Sequence, residues 1–159
     1  YAIQVMGAAL FAPFLPVLAE YLKERDIQGF NRGVRKVTGI LVVFSALVLV
    51  AASLLGRWVL GIFFGKEILD YYELFIPVVI VIIINTFVYW FQGVLVALRK
   101  NVLLAVGMIV DFMLFVILIR PAIEIFGMNG ASYAQILSLG LYLLFEIIAT
   151  AFNGKKIQE

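Results

Sequence analysis

The sequence contains no cysteine and no histidine. Disulfides, thiolate or imidazole metal sites, a nucleophilic cysteine and a histidine general base are therefore excluded. Charge is scarce too: 14% of the 159 residues are charged, against about a quarter in soluble domains. Basic residues outnumber acidic ones by only 12 to 10, too small a surplus to argue for a nucleic-acid partner. There is no glycine-rich phosphate loop and no metal-ligand spacing. The acidic pairs Glu24 with Asp26 and Asp70 with Glu73 sit among basic or aromatic loop residues, where solvated faces are the simpler reading. No enzyme, cofactor or metal ion is expected.

What the chain has in excess is apolar sequence, 65% of its residues, gathered into long runs that a soluble core of this size could not hide. A helix needs about 20 apolar residues to cross the hydrocarbon core. Five segments meet or approach that length: 1–19, 37–56, 74–98, 102–119 and 130–152. The first is uncharged and is interrupted near its end by Pro13 and Pro16, which predict a kink or break. The third is rich in Ile and Val. In a bilayer an unbroken run of that length must still be helical, because each backbone N–H and C=O needs a partner within the segment. The expected fold is all-α, a polytopic bundle of about five membrane-spanning helices occupying residues 1–159. The start at Tyr1, already within an apolar run, reads as the carboxy-terminal part of a longer protein.

The connections are short. Lys23–Lys36 is the longest polar stretch. Arg57–Glu73 is half apolar and then acidic and aromatic, which suits a helix end or interfacial segment. Arg99–Asn101 reads as a tight turn, and Arg120–Asn129 contains two helix stoppers, Pro121 and Gly127. Lys and Arg alternate in density. Lys23, Arg25, Arg32, Arg35, Lys36, Arg99, Lys100, Lys155 and Lys156 fall on one side. Arg57, Lys66 and Arg120 fall on the other. The richer side is expected in the cytoplasm.

Asp111 stands at the centre of the fourth run. A carboxylate there costs about 2.5–3.5 kcal/mol on the insertion scale, whereas each Leu, Ile, Val or Phe returns about 0.3–0.6. The run holds thirteen such residues, so about 4–8 kcal/mol favours insertion, and Asp111 must face protein or a watery cavity. It is a candidate proton, cation or polar-substrate site, or else a structural contact to Asn85, Gln92 or backbone. Asn85 and Gln92, with Gln4 and Gln135, are either interhelical glue or cavity-lining groups. Gly93, Gly107, Gly140 and the Gly7–Ala9 run suggest close helix approach. Arg32, Arg35 and Lys36 are either membrane-topology anchors or contacts to a phosphorylated lipid headgroup. Membrane lipids are the one partner that follows directly.

Three stretches carry a resemblance to a known family: Pro16-Val17-Leu18-Ala19-Glu20-Tyr21 with Asp26 and Phe30, then Ile62-Phe63-Phe64-Gly65-Lys66-Glu67-Ile68-Leu69-Asp70-Tyr71-Tyr72 leading to Pro77, then Phe126-Gly127-Met128-Asn129-Gly130-Ala131-Ser132. In order and spacing the chain resembles the carboxy-terminal half of the oligosaccharide-lipid flippases, the polysaccharide-biosynthesis exporters related to cation-coupled multidrug exporters. Asp111 departs from the pattern, where an uncharged polar residue is more usual. The resemblance implies a two-lobed transporter around a central cavity, alternating access and a missing amino-terminal half as partner. It also implies lipid-linked oligosaccharide as substrate and the bacterial cytoplasmic membrane as location. The alternatives are a cation-coupled drug exporter with Asp111 as its ion site, and a non-catalytic membrane subunit of a glycan-assembly complex.

Overall fold

The computed structural model describes residue 9 and residues 11–155. Every element among them is helical: α1 (Phe14–Lys23), α2 (Ile27–Phe64), a 3-10 segment (Lys66–Leu74), α3 (Phe75–Ala97), α4 (Asn101–Phe126), a 3-10 turn (Gly127–Asn129) and α5 (Gly130–Lys155). Three helical stretches are long and apolar enough to cross a membrane: Ile27–Phe64, Leu69–Ala97 and Asn101–Asn153. The five expected runs map onto them unevenly. The second and third runs take one stretch each, and the fourth and fifth share the last. Of the first run, residues 1–8 and 10 lie outside the described residues. Its remainder turns at Ala12–Pro13 and enters α1, ten residues long and about 15 Å at 1.5 Å per residue, half a bilayer core. Pro16 sits in the first turn of α1, where a helix leaves its N–H groups unpaired in any case.

α2 is longer than its apolar run predicts. Asp26 caps it, its side chain accepting the Gly29 N–H at 2.9 Å, and the helix continues for 38 residues, about 57 Å. The uncharged part, 37–56, accounts for about 30 Å, one hydrocarbon thickness. Residues 27–36, expected as connection, are therefore the first turns of α2, and Arg57–Phe64 are its last. A helix that satisfies its own backbone has no reason to stop at the membrane surface. Gly65, at φ 84°, ends it. The 3-10 segment then folds back along α2: Tyr72 donates to the Ala52 and Ser53 carbonyls at 3.4 Å, and Arg57 lies over its ring.

Pro121 does not stop α4, which runs through it to Phe126. Its stop is Gly127, at φ 58° and ψ −133°, a backbone state open to glycine. The chain reverses there, and α4 and α5 pack antiparallel. Phe126 meets Tyr133 edge to face, Asp111 meets Ser138, and Gly107 meets Tyr142.

The core has three patches. Leu18, Phe30, Val37, Leu41, Trp90 and Val94 join α1, α2 and α3. Val81, Val88, Leu139 and Tyr142 join α3 to α5. Leu95, Leu104 and Ala149 tie α3, α4 and α5 together near the Arg99–Lys100 turn. Trp90 is fully buried and donates its indole N–H to the Thr38 hydroxyl at 3.1 Å. Beyond these patches the surface is greasy. Val43, Leu47 and Leu54 on α2, and Phe112, Met113 and Ile117 on α4, are all more than half exposed. An apolar face of that extent suits lipid or another helix rather than water.

The charged residues sort by end. The turns 24–26 and 98–100 flank a common cavity that includes Lys23 and Arg99. α2 begins, α4 begins and α5 ends at that same end. Among the described residues it gathers Lys23, Arg25, Arg32, Arg35, Lys36, Arg99, Lys100 and Lys155, and the opposite end holds Arg57, Lys66 and Arg120.

Candidate functional site

α5 carries four buried polar side chains at four-residue spacing: Ser138, Tyr142, Glu146 and Thr150. That interval places them in one stripe, one above another, and the stripe faces α3 and α4. Ser138 donates to the Asp111 carboxylate at 2.5 Å. Gln92 on α3 donates its amide to the Tyr142 hydroxyl at 3.5 Å. Glu146 is fully buried and neither carboxyl oxygen has a hydrogen-bond partner, nor does the Thr150 hydroxyl. From Ser138 to Glu146 the stripe runs about 12 Å along the axis, from the middle of α4 toward the Arg99–Lys100 turn.

The interface opens beside Asp111 into a cavity of about 130 Å³, lined by Val106, Gly107, Val110, Asp111, Leu141 and Tyr142 among others. Its volume suits a few water molecules, each of about 30 Å³. Gly107 brings the helices close there: a Cβ on it would lie 2.6 Å from the Tyr142 ring. Among the described residues no ion pair involves Asp111 or Glu146. The one ion pair found, Arg120 with Glu124 at 3.1 Å, is exposed and lies on one helix.

The sequence candidates therefore separate. Asp111 and Gln92 enter one interface, joined through Ser138 and Tyr142. Asn85 sits two turns from Gln92 on α3, half-buried, outside these hydrogen bonds. Gln135 is exposed, and Gln4 and residues 7 and 8 lie outside the described residues. Of the glycines, Gly107 and Gly93 mark close approaches, Gly93 against Leu15, whereas Gly140 has open space around it. Glu146 was missed as a site residue because one Glu near the end of an apolar run reads as a boundary. The signal that finds it is the four-residue repeat from Ser138 to Thr150, which no single residue displays.

A second constellation forms at the basic end. The elbow between α1 and α2 encloses a cavity of about 480 Å³, with Phe14, Leu18 and Tyr21 on one wall and Gly29, Arg32 and Lys36 on the other. Gly29 and Gly33 stand four apart, as do Arg32 and Lys36, and the glycines let α1 approach closely: a Cβ on Gly29 would meet Tyr21 and one on Gly33 would meet Leu18. Arg35 does not line it. An apolar groove starts at the same Lys36 and follows α2 past Gly39, Ile40, Val43, Phe44 and Leu47. Neither constellation groups three acidic, histidine or cysteine residues of the kind that hold a metal ion. Comparison with known proteins finds no matching family model, no matching curated protein and no matching solved structure.

Proposed function

We propose that the chain is part of a transporter that flips lipid-linked oligosaccharide across the bacterial cytoplasmic membrane by alternating access, working with an amino-terminal half. The observation that carries this reading is the joined cavity and groove on α2. A headgroup phosphate suits Arg32 and Lys36, the sugars suit the open elbow, and a polyprenyl tail suits the apolar groove from Gly39 to Leu47. Lys36 belongs to both, so the groove begins where the headgroup would end. The concentration of basic residues at that end supports a cytoplasmic position, where such precursors are assembled, and supports counting α1 through α5 as alternating elements of one larger bundle.

Near a membrane surface each basic side chain contributes about 1 kcal/mol toward an anionic group. Replacing both cations, Arg32→Gln with Lys36→Gln, is expected to weaken binding of a polyprenyl diphosphate oligosaccharide by about thirtyfold. Binding is measured with the protein in vesicles, together with transfer of the labelled lipid between leaflets. Unchanged binding, or no leaflet transfer by the complete transporter, overturns the proposal. A cation-coupled exporter is the second reading, favoured by the buried unpaired carboxyl of Glu146.

A further inference from the structure

We infer that Glu146 is an exchange site for a monovalent cation, a proton or a sodium ion, and that Asp111 is not. The inference concerns the α5 stripe and not the elbow cavity, so either can fail without the other.

The argument is one of elimination within the membrane. A carboxylate removed from water needs a counter-charge or hydrogen bonds, or it must be neutralised. Glu146 is fully buried and neither oxygen has a hydrogen-bond partner. Among the described residues no cation forms an ion pair with it, Arg99 and Lys100 of the neighbouring turn included. α3 has no charged residue from Phe75 to Ala97, α2 has none from Val37 to Gly56, and in α4 the sole charge between Asn101 and Ile119 is Asp111, itself acidic. The titratable groups that face Glu146 are Tyr142 on its own helix, whose hydroxyl lies beside the carboxyl without completing a well-formed hydrogen bond, and Asp111 on α4, and neither supplies positive charge. The neutralising charge therefore comes from solution. A proton adds to one carboxyl oxygen and leaves a neutral acid, with no other bond changed. A sodium ion instead takes oxygen ligands, and the stripe offers oxygens only: the Glu146 carboxyl, the Tyr142 hydroxyl and the unpaired Thr150 hydroxyl.

Asp111 differs in the feature that matters. Its carboxylate accepts the Ser138 hydroxyl and it borders the cavity near mid-span. It is held by that bond, whereas the Glu146 carboxyl has no hydrogen-bond partner. The distance of about 12 Å along α5 places Glu146 toward the Arg99–Lys100 turn.

The test uses the full chain reconstituted in lipid vesicles and read by infrared spectroscopy, with pH and sodium varied separately. A carboxyl band of a group in apolar surroundings is expected. Response to pH alone identifies the proton, and displacement by sodium at constant pH identifies the ion. Glu146→Gln abolishes the response, whereas Asp111→Asn keeps it, with helix content by circular dichroism as the folding control. A wild-type chain in which the carboxyl band of a group in apolar surroundings responds to neither variable overturns the inference even if the variant fails to fold. So does a response that survives in Glu146→Gln or disappears in Asp111→Asn with helix content unchanged.

Discussion

Replacing Glu146 by methionine is expected to stabilise the bundle. Methionine follows the same unbranched path through the interface and carries no group that needs a partner. In the wild type both carboxyl oxygens are enclosed and unpaired, and a buried polar group without a partner costs about 1–3 kcal/mol. That cost disappears in Glu146→Met, so its unfolding free energy rises by about 1–3 kcal/mol. Ser138→Ala sets the opposite sign in the same interface. It removes the hydroxyl that Asp111 accepts, and such bonds between membrane helices contribute about 0.6 kcal/mol on average and up to about 1.7. Both variants are measured by SDS-driven unfolding in mixed micelles, followed by circular dichroism. A Glu146→Met chain less stable than wild type by about 1 kcal/mol or more would refute the reasoning, because it would mean that the carboxyl has a partner inside the bundle.

Gly107→Val puts side-chain atoms where the Tyr142 and Phe145 rings already lie, and such overpacking costs about 1–3 kcal/mol. The same unfolding assay detects it, and stability equal to wild type would show that α4 and α5 can part without cost. Trp90→Phe keeps the buried ring and loses the bond to Thr38, for about 0.6–1.7 kcal/mol. In a double-mutant cycle with Thr38→Val the two losses should not add, and strict additivity would show that the bond contributes nothing.

Much of the fold was legible because hydropathy measures the quantity that the bilayer tests. The uncharged stretch 37–56, the turn at Arg99 and the reversal at Gly127 all lie where charge, glycine and run length put them. What hydropathy could not see was where helices end in water. Residues 27–36 and 57–64 are polar or mixed, yet a helix with its own hydrogen bonds passes through them, and Pro121 is tolerated in α4. The count of crossings suffers too, since three stretches carry four of the five runs, the fourth and fifth sharing one. The site was half legible. Asp111 was conspicuous because a charge at mid-span is costly, and Gln92 because amides are rare there. Glu146 was hidden by its position near the end of a run. Its meaning depends on which neighbours it lacks, and that is a property of three helices together.

The reversal at Gly127 also bears on how the protein is made. α4 and α5 leave the ribosome in succession, separated only by Gly127–Asn129. A closed hairpin can leave the insertion machinery as one body. Asp111 and Ser138, 27 positions apart, then meet before either helix has been exposed alone to lipid. The insertion cost of about 2.5–3.5 kcal/mol for the carboxylate is thereby reduced, by about 0.6–1.7 kcal/mol, by a partner travelling with it. Lengthening the 127–129 turn would separate the two helices in time during synthesis, and the defect would appear as failed insertion of α4 in nascent chains, before any mature bundle exists to be destabilised.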